Sequence, residues 1–223
     1  MDKIIKKVKK VGGTIDLPGD RSISHRSLIL SSLADGTSVI RNCSNALECE
    51  STKTCLKQMG VEISGDVERL EVAGLGIDGL MKPDSPLNVN NSAAALSLLT
   101  GILSGFGFDV EIQGNEALSR RPFKRLIQHL EKMGAKIDSN DYKLPFIIHG
   151  SHLIGTDFNF PSPNPHTKSS LLFAGLKAEG ETVISESISS RDHTERMISN
   201  FGIPIELQAA KQEQDTDELD RRM

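Results

Sequence analysis

The feature that most constrains this chain is a pattern it repeats three times. An apolar, helix-like run closes in a small turn and a β-type stretch at "LILSSLADGTSVI", at "LSLLTGILSGFGFDVEI" and at "LLFAGLKAEGETVI". Gly36, Gly107 and Gly180 occupy equivalent turns, 71 and 73 residues apart. A second helical pattern follows each turn and ends in "CLKQMGVEI", "HLEKMGAKI" and "MISNFGIPI". Gly60, Gly134 and Gly202, spaced by 74 and 68 residues, stand where the left-handed residue after a helix C-terminus belongs. Two motifs recurring three times in one order identify a repeat architecture, in which neighbouring copies bury a shared core. The expected fold is α/β, each unit running helix, strand, helix, strand. The stretches "RLEVAGLG" and "LPFIIHGSHL" add strand material between units.

The repeats occupy residues 17–205, and two ends fall outside them. Residues 1–16 read as one or two short strands. Lys3, Lys6, Lys7, Lys9 and Lys10 lie on their exposed side, a common guard against edge pairing. Residues 206–223 lose the apolar pattern, carry six acids against three bases, and read as a frayed helix or a disordered tail. With no Trp, one Tyr and 37% hydrophobic residues, the core must be built mainly from aliphatic side chains. A net charge of −4 argues against nucleic acid or an anionic membrane as partner, so any anion site must be local. The N-terminus has no signal-peptide apolar stretch, and no run approaches the ~18 apolar residues of a membrane span. The chain therefore reads as cytoplasmic. Cys43, Cys49 and Cys55, at a spacing of six, match no zinc pattern and read as free thiols of a reducing compartment.

Cations cluster where they are least expected. The helix dipole favours acids at helix N-termini, yet "PGDRSISHRSL" places Arg21 and Arg26 in the opening turns of a helix. "LSRRPFKRLIQHL" sets Arg120 and Arg121 before Pro122, a favoured first helical residue, with Lys124 and Arg125 in the same turn. His166 and Lys168 open a third such helix, and Arg191 precedes a fourth. Repeated basic helix starts point to N-termini converging on one phosphate or carboxylate. Ser22 and Arg26 are four apart and share a helix face; Ser22 either caps the helix or donates to the anion that Arg26 grips. In "SRDHTERM", Asp192 and Glu195 have capping-box spacing, while Ser190 and Arg191 are alternatively ligand-facing. Asp20, Ser22 and His25 supply the residue types of a hydrolase triad but lie within one turn, where triad geometry is rarely met. His149 and His152 have no nearby ligands for a metal, and no nucleotide fingerprint occurs.

Three of these stretches together resemble the EPSP synthase family. "LPGDRSISHRSLIL…LADGTSVIRN", "GNEALSRRPFKRLIQHLEKMGA" and "KSSLLFAGLKAEGETVISESISSRDHTERMISNFG" are similar to three family signatures, across about residues 10–205. The resemblance implies the enolpyruvyl transferase fold, whose domains each contain three βαβαββ-like units in a pseudo-three-fold arrangement. It implies transfer of the enolpyruvyl group of phosphoenolpyruvate to the 5-hydroxyl of shikimate 3-phosphate, without metal or cofactor. Ser22 and Arg26 fall on shikimate-phosphate-binding positions, Arg21 on a lysine that touches both substrates, and Arg121 on the arginine that holds phosphoenolpyruvate. Ser190 lies near a phosphate-binding serine.

Several positions depart from the family. Arg21 replaces lysine with a planar fork. Ala93 stands where a glycine lets phosphoenolpyruvate approach, Ala94 replaces a threonine hydroxyl, and Ser97 replaces an arginine. Asn164 replaces a phosphate-binding serine and His166 a substrate-contacting glutamine. The chain corresponds to one N-terminal half of a family member, so no catalytic proton-transfer residue is expected within it. The strands of residues 1–16 would belong to the second domain. The face that in the family meets the second domain then implies a partner, either a second-half subunit or a second copy. The alternative is a non-catalytic descendant that binds a phosphorylated metabolite or a protein.

Overall fold

The computed structural model describes residues 3–4 and 6–207. Three long helices begin in step. Helix α1 (Arg21–Leu33) is capped by Asp20, α3 (Ala93–Leu103) by Ser92 and α6 (Pro165–Gly175) by Asn164. In each case the cap side chain accepts from the backbone N–H three residues on, that of Ile23, Ala95 or Thr167. The caps lie exactly one 72-residue period apart. Asp, Ser and Asn are interchangeable here because each offers a short oxygen to an unpaired first-turn N–H.

Around each long helix the chain lays strands and a second, outer helix. The first unit continues with β1 (Asp35–Arg41), α2 (Leu47–Gln58), β2 (Glu62–Gly65) and β3 (Arg69–Leu75), an antiparallel sheet in the order β1-β3-β2. The second unit runs β4 (Leu87–Asn88), α3, β5 (Val110–Gln113), α4 (Glu116–Ser119), α5 (Lys124–Lys132), β6 (Lys136–Asn140) and β7 (Lys143–His149). Its sheet has the order β4-β5-β7-β6, with β4 and β5 parallel across the α3 crossover. The third unit comprises β8 (Leu153–Ile154), β9 (Asp157–Phe160), α6, β10 (Ala178–Glu179), β11 (Val183–Glu186) and α7 (His193–Asn200). There β9 pairs in parallel with β11, and β8 with β10. The second unit is thus a complete βαβαββ motif.

The glycines behave as their spacing predicts at the outer helices. Gly60, Gly134 and Gly202 follow the C-caps of α2, α5 and α7 with φ of +92°, +97° and +80°. At the other set of turns Gly36 and Gly180 are left-handed and Gly107 is not, so that turn differs in the second unit. Inside, α3 packs against α6 so closely that a Cβ on Gly101 would fall 2.2 Å from the Ser170 carbonyl oxygen. One continuous core of Leu, Ile, Val, Met and Phe runs through all three units.

Two expectations change at the N-terminus. None of the described residues before α1 forms a strand, and Ile4, Val8, Val11, Ile15 and Leu17 are all at least 65% exposed. Strand-like alternation secures a strand only when a neighbour supplies the hydrogen-bond ladder, and the described chain brings none alongside. Asp20, not Ser22, caps α1. The expected tail, 206–223, lies almost wholly outside the described residues.

Candidate functional site

Arg26 is the centre of the polar architecture. It sits in the second turn of α1, only 6% exposed. Its Nε donates to Thr194 Oγ1 (2.6 Å), Nη1 to the carbonyl and Oγ of Ser22 (2.9 and 2.7 Å), and Nη2 to Ser169 Oγ (2.7 Å). Thr194 Oγ1 in turn donates to Ser169 Oγ at 2.8 Å. One side chain therefore ties α1 to α6 and α7. A guanidinium has five N–H donors, so a single Nη2 N–H is left over. The partners are hydroxyls and one carbonyl; none is a carboxylate. Burial lowers the Arg26 pKa, with Glu195 opposing that and Arg191 adding to it. A buried cation without a direct counter-ion is costly unless something anionic completes it.

Other cations gather around this point. His166, second residue of α6 and open to solvent on one side, has its pKa lowered by desolvation on its packed side and then by the charges of Arg26, Arg191 and Arg121. Guanidiniums from all three units thus press on one imidazole. Ser22 Oγ accepts from Arg26, so its own hydroxyl proton is not used in that bond. Arg21 is exposed and pairs with Glu48 of α2 at 3.0 Å. Arg121 is exposed and lies over the Phe123 ring, 5.7 Å from its centroid.

A second buried polar cluster lies beside the first. Lys168 of α6 donates to Glu186 Oε2 at the end of β11 (2.9 Å) and pairs with Glu195 Oε1 of α7 (2.7 Å), its side chain 5% exposed. Burial alone would pull the ammonium down, but the hydrogen bonds and charges of Glu195 and Glu186 outweigh it and raise the Lys168 pKa. Burial pushes Glu186 up, and its bonds from Ser190 and Lys168 bring it below the ordinary carboxylate range. Glu195 Oε2 is buried without a hydrogen-bond partner.

Some residues read as site candidates take other roles. Asn164 spends its side chain on capping α6. Ala93 is the half-buried first residue of α3, and Ser97 turns back to donate to its carbonyl at 2.8 Å. Arg120 and Arg121 do not open α5. The Arg121 N–H closes on Leu118 O at the end of α4, and α5 starts at Lys124 behind an uncapped Phe123. Cations at a carbonyl end obey the dipole preference rather than defy it. The capping box is also absent: Asp192 makes no side-chain cap bond, and the Glu195 side chain pairs with Lys168 instead of reaching back to the cap. His25 is buried among Thr52, Ser92 and Cys49, sharing a 2.7 Å hydrogen bond with Thr52 Oγ1, so it serves no triad. Cys43 precedes α2 while Cys49 and Cys55 lie within it, and all three thiols are buried with their pKa values raised mainly by desolvation. Among the described residues no His, Cys, Asp and Glu group is arranged to hold a metal, and no helix is long and apolar enough to cross a membrane.

Comparison with known proteins places this arrangement in context. Residues 5–216 match the family model of EPSP synthase (3-phosphoshikimate 1-carboxyvinyltransferase). The chain is 44% identical over 212 residues to the 3-phosphoshikimate 1-carboxyvinyltransferase of Solibacter usitatus, covering 95% of this chain and 49% of that protein. It is 42% identical over 201 residues to the Bacillus subtilis protein of the same name, covering 89% and 47%. The solved EPSP synthase of Acinetobacter baumannii superposes with a TM-score of 0.84 at 36% identity, over 88% of this chain and 45% of that one. The chain spans about half the length of the curated relatives it matches.

Proposed function

Because the chain belongs to the EPSP synthase family, we propose that its described residues form the phosphate-gripping half of an enolpyruvyl transferase site. The ligands on this reading are shikimate 3-phosphate and phosphoenolpyruvate, with no metal or cofactor. One observation carries the reading: Arg26, a buried guanidinium held by hydroxyls and lacking a carboxylate, lies where Arg121, His166 and Arg191 converge.

On this reading an anion receives the last Nη2 N–H of Arg26 and the hydroxyl proton of Ser22. The guanidinium is fixed by its other bonds before the ligand arrives, so little ordering entropy is lost on binding. Arg26 itself is too deeply built in to be only a ligand grip; the same bonds hold three helices together. Arg21, exposed at the rim, adds charge that favours a phosphorylated over an unphosphorylated sugar acid. Arg121 is the group assigned to phosphoenolpyruvate. Enolpyruvyl transfer also needs acid and base groups at the 5-hydroxyl and at the enolpyruvyl carbon. On this reading those groups come from a second domain, whether continuous with this chain or on another subunit. The segment before α1 would supply strands to that domain.

Titration calorimetry with shikimate 3-phosphate tests the assignment. Wild type binds, and Ser22→Ala weakens binding roughly ten-fold, the scale of one charge-assisted hydrogen bond. The described half alone gives no turnover when phosphoenolpyruvate is added. Absence of binding by the wild type, or steady-state turnover by this chain alone, contradicts the proposal.

A further inference from the structure

Ser190 has an unusual position for a residue on an anion-binding face: both of its donors are already occupied by an anion. Its Oγ donates to Glu186 Oε1 at 2.6 Å and its backbone N–H to Glu186 Oε2 at 3.2 Å. Glu186 cannot easily withdraw. Its side chain is 10% exposed and is held from behind by Lys168 at 2.9 Å, which is itself anchored to Glu195. The loop between β11 and α7 is therefore pinned at both ends. Ser187 N–H donates to Phe160 O at the β9 end (3.0 Å), and Ser190 clasps Glu186 at the other. Ile188 rides exposed on the loop between them, and Arg191, also exposed, follows Ser190.

A ligand phosphate that took the Ser190 hydroxyl proton would strip Glu186 Oε1 of its partner inside the protein. Leaving a buried acceptor bare costs about as much as the new bond gains. Arg191 bears no such conflict, and its charge already acts on both Arg26 and His166. We infer that Ser190 is a positioning residue rather than a ligand: with Glu186 and Lys168 it forms a buried clasp that sets the loop so that Arg191 meets the phosphate. This rests on the phosphate-site reading above and changes which residue of the "SRDHTER" stretch carries it. The clasp also accounts for Lys168, a buried cation that the proposed chemistry leaves without a task.

A double-mutant cycle on shikimate 3-phosphate affinity, combined with backbone amide exchange over residues 187–192, tests the inference. Ser190→Ala and Glu186→Gln each accelerate exchange in the loop and each weaken binding by roughly ten-fold. The double variant binds no more weakly than the poorer single one, because both changes open the same clasp. Arg191→Ala weakens binding at least as much while leaving exchange at residue 190 slow. Ser190→Ala removes a single half-buried hydroxyl and leaves the Lys168 pairs intact, so a folded variant is available. Additive losses from Ser190→Ala and Glu186→Gln would show that Ser190 touches the ligand directly and would overturn the inference, as would unchanged loop exchange in Glu186→Gln. If the wild type fails to bind shikimate 3-phosphate, the functional reading falls, and the exchange measurement still decides whether the clasp exists.

Discussion

Helices α3 and α6 start from equivalent caps and touch at Gly101, yet they bury opposite chemistry. In α3 the inward side chains are Ala95, Leu96, Leu98, Leu99, Ile102 and Leu103, with short hydroxyls between them. In α6 the first two turns bury Thr167, Lys168, Ser169 and Ser170 before Leu171, Phe173 and Ala174 resume an ordinary core. The α3 pattern shows what the fold asks of this element: aliphatic volume at close range. In α6 the ammonium and hydroxyls answer instead to Glu186, Glu195, Arg26 and Thr194, and burying them carries a desolvation cost. Helix α1 resembles α6, with Ser24, His25 and Arg26 buried in its opening turns. Two of the three repeats thus give up core chemistry at the same end of the same helix, and that end is where the arginines gather.

The difference can be broken most sharply at Lys168. Lys168→Met leaves Glu186 and Glu195 buried without their shared cation and should cost about 3–5 kcal/mol in urea unfolding. Adding Glu186→Gln and Glu195→Gln to that variant should restore much of the loss, since no uncompensated charge remains. A cavity in α3 gives the contrasting result. Leu99→Ala, at a fully buried site, should cost about 2–5 kcal/mol while leaving the folded fraction's affinity for shikimate 3-phosphate unchanged.

Acid should separate α1 from α3 more gently. Burial, then the charge of Arg26, depresses His25 from 6.5 to about 4. Unfolding lets His25 take up a proton that the folded chain refuses, so stability falls as pH drops from about 6.5 to about 4. Between about pH 7 and pH 5 the expected loss from this residue is about 2 kcal/mol, read from urea unfolding curves. His25→Gln should flatten that part of the pH dependence. The smallest effect on stability belongs to the rim. Arg121→Ala should leave the unfolding free energy within about 0.5 kcal/mol of wild type. It should keep shikimate 3-phosphate binding and lose phosphoenolpyruvate binding to the loaded protein.

Much of the architecture was legible in the chain because glycine has a backbone signature. Gly60, Gly134 and Gly202 marked the ends of α2, α5 and α7, and the family resemblance rested on stretches whose spacing is local. The 72-residue period of the caps was hidden, because Asp20, Ser92 and Asn164 do one physical job with three different side chains. Ser22 and Arg26 were legible as a pair because four residues on a helix is one turn. The rest of the Arg26 network was not: Thr194 lies 168 residues away and Ser169 lies 143 away. Lys168 looked like one more anion-facing cation at a helix start. Its meaning depends on Glu186 and Glu195, which no periodicity links to it. The same long-range pairing drew Glu195 out of the capping box its spacing suggested.

The central claim is that the polar openings of α1 and α6 build a site for a phosphate, and this is measured most directly by comparing two ligands that differ only in that group. Calorimetry of the wild-type chain should show binding of shikimate 3-phosphate that weakens with added salt, and no measurable binding of shikimate. Equal binding of the two, or shikimate 3-phosphate binding that ignores ionic strength, would contradict the account.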